Sequence, residues 1–210
     1  MKKQGTKEMI QRVAADLFQK FGFEKTSMDD IAQKAHKAKR SIYNHFNNKE
    51  ELFTTAVQLE IEQVRTQLQL IVNDDTQFVL PRLRQYLLRR VQLLAEAGTL
   101  QVAIKNNMLQ SDDYRFEEVR KLHTDFSDWE HAIFKKIWYA KPTNDSAEII
   151  EQQAEAFADM LQVTLNGLTH TFFAEGKYEQ YKSSYEMLIN LIVNSIFRNF
   201  QNNQNHMLNM

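Results

Sequence analysis

The chain has 210 residues, with only 5 glycines and 2 prolines against 14 phenylalanines and 8 methionines. Because sheets need turns, and turns favour glycine and proline, this composition favours an all-helical protein. The lack of cysteine excludes disulfides, thiolate metal sites and thiol nucleophiles, and the formal net charge is −1.

Basic residues are concentrated at the N-terminus. Residues 1–50 contain 11 basic and 6 acidic side chains, whereas the remaining residues contain 15 basic and 21 acidic ones. Unless this is chance clustering, a basic segment on an acidic body is typical of a segment that meets a polyanion. We expect a domain of residues 1–50 and a second domain of residues 51–210.

Three helices are predicted in the first domain. Apolar residues at helical spacing predict a helix from about Thr6 to Phe21, and Gly22 can adopt the positive φ that ends it. Ser27 stands three residues before Asp30, which is the capping-box pattern that begins a second helix. A third helix is predicted from Lys39 to Phe46.

The third helix places Ala38, Ile42 and Phe46 four residues apart on its inner face. Its outer face and rim are cationic and rich in hydrogen-bonding groups: Lys37, Lys39, Arg40, Ser41, Tyr43 and Asn44. Stability alone gives no reason for such a face on so short a helix. The pair of short helices therefore predicts a helix-turn-helix whose second helix enters the DNA major groove.

The first 55 or so residues resemble the TetR family of transcriptional regulators. The residues that carry the resemblance are Ala14-Ala15-x-Leu17-Phe18-x-x-Phe21-Gly22-Phe23, Thr26-Ser27-Met28-x-x-Ile31-Ala32, Ala35, and Ser41-Ile42-Tyr43-x-x-Phe46-x-x-Lys49-Glu50-x-Leu52. The resemblance implies an all-helical dimer whose N-terminal helices bind an operator. It also implies that the C-terminal domain binds a small effector.

The resemblance assigns DNA contacts to several of these residues. Tyr43 and His45 match positions from which the family's recognition helix contacts phosphate and sugar. Lys49 matches the family's phosphate-binding lysine at the start of the fourth helix, where helical N–H groups add to its charge. Thr26 and Ser27 match a second phosphate contact.

Side-chain chemistry indicates which residues are candidates for contacts with the DNA bases. Arginine and lysine pair with guanine and asparagine pairs with adenine, which favours Lys37, Lys39, Arg40 and Asn44. Phosphate contacts would position the domain, and these residues would select the sequence. A solvated surface charge is the alternative for each of the three cationic side chains.

The chain departs from the family in the turn between the second and third helices. The family usually reads Ala-Gly-Val-Ser, and this chain reads Ala35-His36-Lys37-Ala38. We expect His36 to adopt a positive φ, with strain on the order of 1 kcal/mol. Ala38 lacks the hydroxyl that would cap the third helix, which removes about 1 kcal/mol. The departures favour a less rigid helix-turn-helix.

Five further elements are predicted as far as Asp145. They are a long fourth helix to Asn73–Asp75, a fifth helix beginning at Asp75 or Thr76 with Pro81 in its first turn and Gly98 after its end, a segment from Leu100 to Leu109, a helix from Asp112 or Asp113 to Tyr139, and a loop over Lys141–Asp145.

The last two helices indicate a homodimer. Between Met187 and Phe197, apolar residues surround the last helix on nearly every side. A helix that is apolar all round must be covered all round, either by its own chain or by a second subunit. We expect residues 147–200, about two helices, to form half of an intermolecular four-helix bundle, as the resemblance also implies.

A ligand pocket is expected between residues 86 and 138, where large side chains are frequent. The candidate effector-binding residues are Tyr86, Met108, Phe116, His123, Phe126 and Trp129. Ordinary core packing is the alternative for each of them.

Little in the sequence supports an enzyme, a metalloprotein or a membrane protein. There is no glycine-rich phosphate loop and no His-Glu-x-x-His sequence, so we expect no catalytic site, no metal site and no cofactor. No signal peptide or membrane span is recognisable, which favours a soluble cytoplasmic protein. The sequence thus predicts a ligand-responsive DNA-binding repressor that binds a near-palindromic operator. The alternatives are a helical ligand-binding or enzymatic protein that has lost DNA binding, and a DNA-binding protein controlled by a protein partner.

Overall fold

The computed structural model describes residues 2–74, 76–140 and 145–208, with side chains from residue 5 to residue 195. Within these ranges every regular element is helical, as the composition predicts. The nine α-helices of the described residues are α1 (Lys2–Phe21), α2 (Met28–Lys34), α3 (Lys39–Tyr43), α4 (Lys49–Val72), α5 (Val79–Glu96), α6 (Gly98–Lys105), α7 (Glu117–Tyr139), α8 (Ala147–Thr169) and α9 (Tyr178–Leu208). None of these helices combines the length and apolar character needed to cross a membrane.

The third and fifth helices have boundaries that differ from their predictions, and α1 begins at Lys2 rather than at about Thr6. The third helix ends at Tyr43 rather than at Phe46, although the Phe46 N–H still donates to the Ile42 carbonyl at 3.0 Å. The fifth begins at Val79 because the Asp74 carboxylate accepts the backbone N–H of Thr76 at 3.1 Å and holds a turn there. Asp75, the other predicted start, lies outside the described residues.

Three other predictions about elements have mixed outcomes. Asp113 accepts the Arg115 N–H at 3.0 Å and begins a 3-10 turn, Tyr114–Phe116, that leads into α7 as predicted. The predicted segment 100–109 begins earlier, at Gly98, and ends at Lys105. Most of the predicted loop, residues 141–144, lies outside the described residues. A π-helical segment, His170–Ala174, extends α8 and was not predicted.

The chain divides into two compact units. The first unit comprises Met1–Val64 and Leu94–Thr124, and the second comprises Arg65–Leu93 and Asp125–Met210. The predicted domain of residues 1–50 lies wholly within the first unit. A domain boundary after residue 50 remains a prediction.

The core of the first unit is aromatic. Phe18, Phe23, Phe53 and Phe116 are all buried, and their rings form edge-to-face and stacked pairs with centroids 5.0 to 6.3 Å apart. Such pairs add about 0.5–1.5 kcal/mol each beyond the burial of their area. This cluster holds α1 and α4 together with the 3-10 turn that contains Phe116.

A carboxylate from α4 caps α6 within the same unit. Glu60 accepts the backbone N–H groups of Thr99 at 3.0 Å and of Leu100 at 2.7 Å. These are N-terminal N–H groups of α6, which have no partner within their own helix. Burial raises the pKa of Glu60, and the two N–H groups only partly offset this effect.

The second unit contains a buried ion pair between α5 and α7. Arg90 donates to both oxygens of Glu130, with Nε–Oε1 at 2.7 Å and Nη2–Oε2 at 2.9 Å. The Tyr86 hydroxyl donates to Glu130 at 2.7 Å, and Arg90 Nη1 donates to Thr169 at 3.0 Å. Because the pair is fully hydrogen-bonded, the cost of removing two charges from water is largely offset.

Candidate nucleic-acid interface

The capping box predicted for α2 is confirmed. Ser27 Oγ accepts the Asp30 N–H at 3.1 Å, and the Asp30 carboxylate accepts the Ser27 N–H at 2.9 Å. The Ser27 hydroxyl and the Ser27 N–H both donate to the Asp30 carboxylate, and these two hydrogen bonds lower the pKa of Asp30. The start of α2 is therefore fixed by two residues that are close in sequence, and Met28 and Ile31 are buried behind it.

The turn after α2 has the strained conformation predicted for it. His36 has φ +51°, while Lys37 N–H closes the turn by donating to the Ala32 carbonyl at 3.0 Å. Ala38 is the N-cap of α3 and gives it no side-chain hydrogen bond. The five-residue helix α3 thus lacks a cap and cannot be stable by itself.

Tertiary packing holds α3 in place instead. Ile42 and Phe46 are completely or almost completely buried, as predicted. The prediction of an inward position for Ala38 is wrong, because this residue is the extended N-cap before α3 and is exposed. The outer side chains are exposed for Lys37, Lys39, Arg40, Tyr43 and Asn44, and half-buried for Ser41, His45 and Lys49. The predicted DNA-contacting residues of this region therefore share one accessible, largely cationic surface, although their contacts with DNA remain a prediction.

Lys39 is paired with an acidic residue that the sequence analysis did not single out. Its Nζ lies 2.9 Å from Asp29 Oδ1 and 3.0 Å from Asp29 Oδ2. This hydrogen bond and the charge of Asp29 raise the pKa of Lys39. Both side chains are solvent-exposed, so the pair is weak and open to exchange with another anion.

Lys49 is held at the first turn of α4. Its Nζ donates to the Phe23 carbonyl at 2.9 Å and lies 4.2 Å from the centroid of the Phe23 ring. Two N–H donors of Lys49 remain for an anion, because an ammonium group has three. The contact orients the lysine at the N-terminus of α4, where a phosphate would also meet helical N–H groups.

The two residues at the start of α2 differ in accessibility. Thr26 is 2% exposed, and its hydroxyl donates to the Gly22 carbonyl at 2.8 Å. The predicted phosphate contact through the Thr26 side chain is therefore wrong, because this hydroxyl is buried and holds the end of α1. Ser27 is exposed, but its hydroxyl is also engaged by Asp30, at 2.6 Å.

The six predicted effector-binding residues fall into different units. Met108, Phe116 and His123 belong to the first unit, and Tyr86, Phe126 and Trp129 belong to the second. Phe116 lies in the aromatic core described above, and the Tyr86 hydroxyl is bound to Glu130. Phe116 and Tyr86 are therefore core residues, which is the alternative given for each of the six in the sequence analysis.

Trp129 lies in more open surroundings. It is half-buried, its ring centroid is 5.5 Å from that of Phe126, and the Arg65 guanidinium lies 5.1 Å from the Trp129 centroid. Arg65 also donates to the Asp125 carbonyl at 3.0 Å. The contact of this cation with the Trp129 ring was missed by the sequence analysis, because Arg65 lies far from Trp129 along the chain.

The comparisons agree with the resemblance of the N-terminal residues. Residues 10–56 match the family model described as bacterial regulatory proteins, tetR family. Over 181 residues the chain is 25% identical to the biofilm operon icaADBC HTH-type negative transcriptional regulator IcaR of Staphylococcus epidermidis. That alignment covers 76% of this chain and 97% of IcaR.

Solved structures show the same fold. The transcriptional regulator FadR from Bacillus subtilis, solved in complex with stearoyl-CoA, superposes with a TM-score of 0.66 at 14% identity, over 89% of this chain and 95% of that one. A TerR/AcrR family regulator from Aquifex aeolicus superposes with a TM-score of 0.64 at 20% identity, over 89% and 99%.

Proposed function

Since the chain belongs to the TetR family of bacterial regulatory proteins, and is a DNA-binding transcriptional regulator, we propose that it is a homodimeric repressor controlled by a small ligand. The observation that carries this proposal is the accessible cationic surface around α3, whose inner residues Ile42 and Phe46 are buried while its lysine and arginine side chains face outward. We propose that it acts in the cytoplasm, where its DNA is found.

Each subunit would insert α3 into the major groove of one half-site of a near-palindromic operator. Arg40 and Asn44 are exposed on α3 and have the side chains that pair with guanine and adenine. Lys49 and Tyr43 would contact the backbone. Repression is supported by the likeness to IcaR, which is described as a negative regulator.

Exposed apolar side chains on α8 and α9 support the dimer. On α8, Ile149, Met160 and Val163 lie on one face at helical spacing and are exposed in the single chain. On α9, Met187 and Leu191 are exposed, while Ile189 and Val193 on the opposite side are buried. A second subunit that covers both exposed faces would complete a four-helix bundle.

An effector would act through its difference in affinity between two conformations. A tenfold loss of operator affinity requires about 1.4 kcal/mol of coupling. The FadR of B. subtilis was solved with stearoyl-CoA, which shows that this fold can hold such a molecule in another chain. The surroundings of Trp129, Phe126 and Arg65 are our candidate contact region for an effector of this chain.

The direct test is binding of the purified chain to DNA that flanks its own coding region, followed by fluorescence anisotropy over a salt series. We expect the flanking duplex to be bound more tightly than a shuffled one, and both affinities to fall steeply with salt. Arg40→Ala should lower the preference between the two duplexes, whereas Lys49→Ala should weaken binding to both and reduce the salt slope by about 1.

The outcomes separate the alternatives. A chain that binds neither duplex at low salt would have lost DNA binding, as the strained turn at His36 allows. A chain that prefers the flanking duplex and responds to no small molecule would favour control by a protein partner.

A further inference from the structure

Three side chains with metal-ligand chemistry meet between α7 and α8 of the second unit. In the part of the chain that the structure describes, His131 Nε2 lies 3.1 Å from Asp159 Oδ1 and 3.6 Å from Glu155 Oε1. One ligand atom from each of the three residues lies within 4.8 Å of the other two. None of these three residues is among the predicted DNA-contacting residues.

The helical register explains why the three groups converge. Glu155 and Asp159 are four residues apart on α8, so both project from the same face. His131 stands on α7 next to the buried Glu130, and adjacent residues of a helix point in different directions. Its imidazole is therefore directed to α8 while Glu130 is directed to the core.

The two distances from His131 match those between ligands of a tetrahedral ion. Zinc binds imidazole nitrogen and carboxylate oxygen at about 2.0–2.2 Å, so two such ligands in a tetrahedron lie roughly 3.4 Å apart. The two distances from His131 Nε2 bracket this value. We propose that His131, Glu155 and Asp159 bind a divalent transition-metal ion, with zinc as the occupant.

Charge and accessibility also suit a cation. Glu151 stands one turn before Glu155, and Lys135 is the lysine that pairs with both of these carboxylates, whereas Asp159 is paired with His131. Lys135 Nζ holds Glu155 by Oε2, at 2.6 Å, which leaves Oε1 directed to His131. The imidazole is 22% exposed and the two carboxylates more so, which leaves an entry path and a fourth position for water.

Imidazole selects the kind of metal. A nitrogen ligand with two carboxylates suits zinc and its neighbours, whereas magnesium prefers an octahedron of oxygen ligands. The same arrangement without a metal would be a protonated histidine paired with two acids. The experiment must therefore distinguish an ion site from a simple interhelical ion pair.

The test uses the full chain, untagged and treated with a chelator, in isothermal titration calorimetry with zinc chloride. We expect one zinc ion per chain, a rise in Tm on zinc addition, no response to magnesium, and the visible bands of tetrahedral cobalt when cobalt is used instead. His131→Ala and Asp159→Asn should each weaken zinc binding at least tenfold.

His170→Ala is the matched control. His170 Nδ1 lies 3.6 Å from a single carboxylate, that of Glu175, so this variant should bind zinc like the wild type. The proposal is overturned if the wild type binds no zinc at one equivalent, or if His131→Ala and His170→Ala bind it equally well. Asp159→Asn, which keeps the shape of the side chain, decides the matter if His131→Ala does not fold. Because DNA is absent, failure here would leave the repressor proposal untouched.

Discussion

The ammonium group of Lys39 lies 2.9 Å from Asp29 Oδ1, so a residue of α3, the proposed recognition helix, is paired with α2 of its own chain. We expect this carboxylate to compete with a DNA phosphate or base for the ammonium group of Lys39. The acidic partner therefore opposes binding in two ways, by occupying the lysine and by repelling the duplex.

Asp29→Asn should tighten DNA binding several-fold. The substitution frees Lys39 and removes a negative charge near the duplex, so the dependence of affinity on salt should also become steeper. Fluorescence anisotropy over a salt series measures both quantities. Asp16→Asn, on the exposed face of α1, removes the same charge without freeing Lys39. Equal effects of the two variants would contradict the role given to Asp29.

Leu191→Glu should convert the proposed dimer to a monomer. Leu191 is 63% exposed in the single chain, and a charge at this position of α9 could not be covered by a second subunit without a large desolvation cost. Sedimentation velocity measures the oligomeric state. Leu70→Glu, at an α4 residue that is 64% exposed, is the matched control and should remain dimeric. If both variants sediment like the wild type, the interface lies elsewhere.

Ala38→Ser should stabilise the protein by about 1 kcal/mol, because it supplies the missing N-cap of α3. Urea unfolding at a fixed protein concentration measures the change. Ala38→Val enlarges the side chain without adding an oxygen, so it should give no such gain. A gain from valine as large as that from serine would show that packing rather than capping is responsible.

Arg90→Met should destabilise the fold by about 3–5 kcal/mol, because it leaves the Glu130 carboxylate buried without its counter-ion. Arg84→Met is the control. Arg84 also pairs with a glutamate, Glu186, but its side chain is 40% exposed against 6% for Arg90, so its loss should cost less than about 1 kcal/mol. Urea midpoints at one protein concentration compare the two, and equal losses would refute the importance of burial.

Glu60→Gln should change how stability depends on pH. Burial raises the pKa of Glu60, so the folded state keeps this proton to a higher pH than the unfolded state does. Stability that is fully present below the ordinary glutamate pKa is thus lost as the pH rises through the raised value. The Tm of the variant minus the Tm of the wild type should therefore increase as the pH rises from about 4 to 7. Glu62→Gln, on the exposed face of α4, controls for the lost charge. A constant difference between Glu60→Gln and the wild type would contradict the prediction.

The sequence predicted those features that depend on neighbouring residues. The capping box of Ser27 and Asp30, the positive φ of His36 and the uncapped Ala38 are all local, and each occurs in the structure. Local geometry also predicted the buried positions of Ile42 and Phe46 on α3, because a helix fixes which residues share a face.

Features that depend on contacts distant in sequence were not predictable in this way. Nothing near Arg90 indicates that Glu130 will be its partner, and nothing near Thr26 indicates that its hydroxyl will be buried against the end of α1. The cluster of His131, Glu155 and Asp159 has no recurrent spacing, because its members stand on two helices whose pairing only the fold determines.

The five-residue helix α3 has a consequence for how such regulators change over generations. Its fold depends on Ile42 and Phe46, whereas Arg40, Tyr43 and Asn44 project into solvent. Under the proposed function, point mutations at the outward positions would redirect the molecule to a new promoter while the buried residues continue to hold α3 in place. Selection for a stable fold and selection for a particular promoter would thus act on different residues of one short segment.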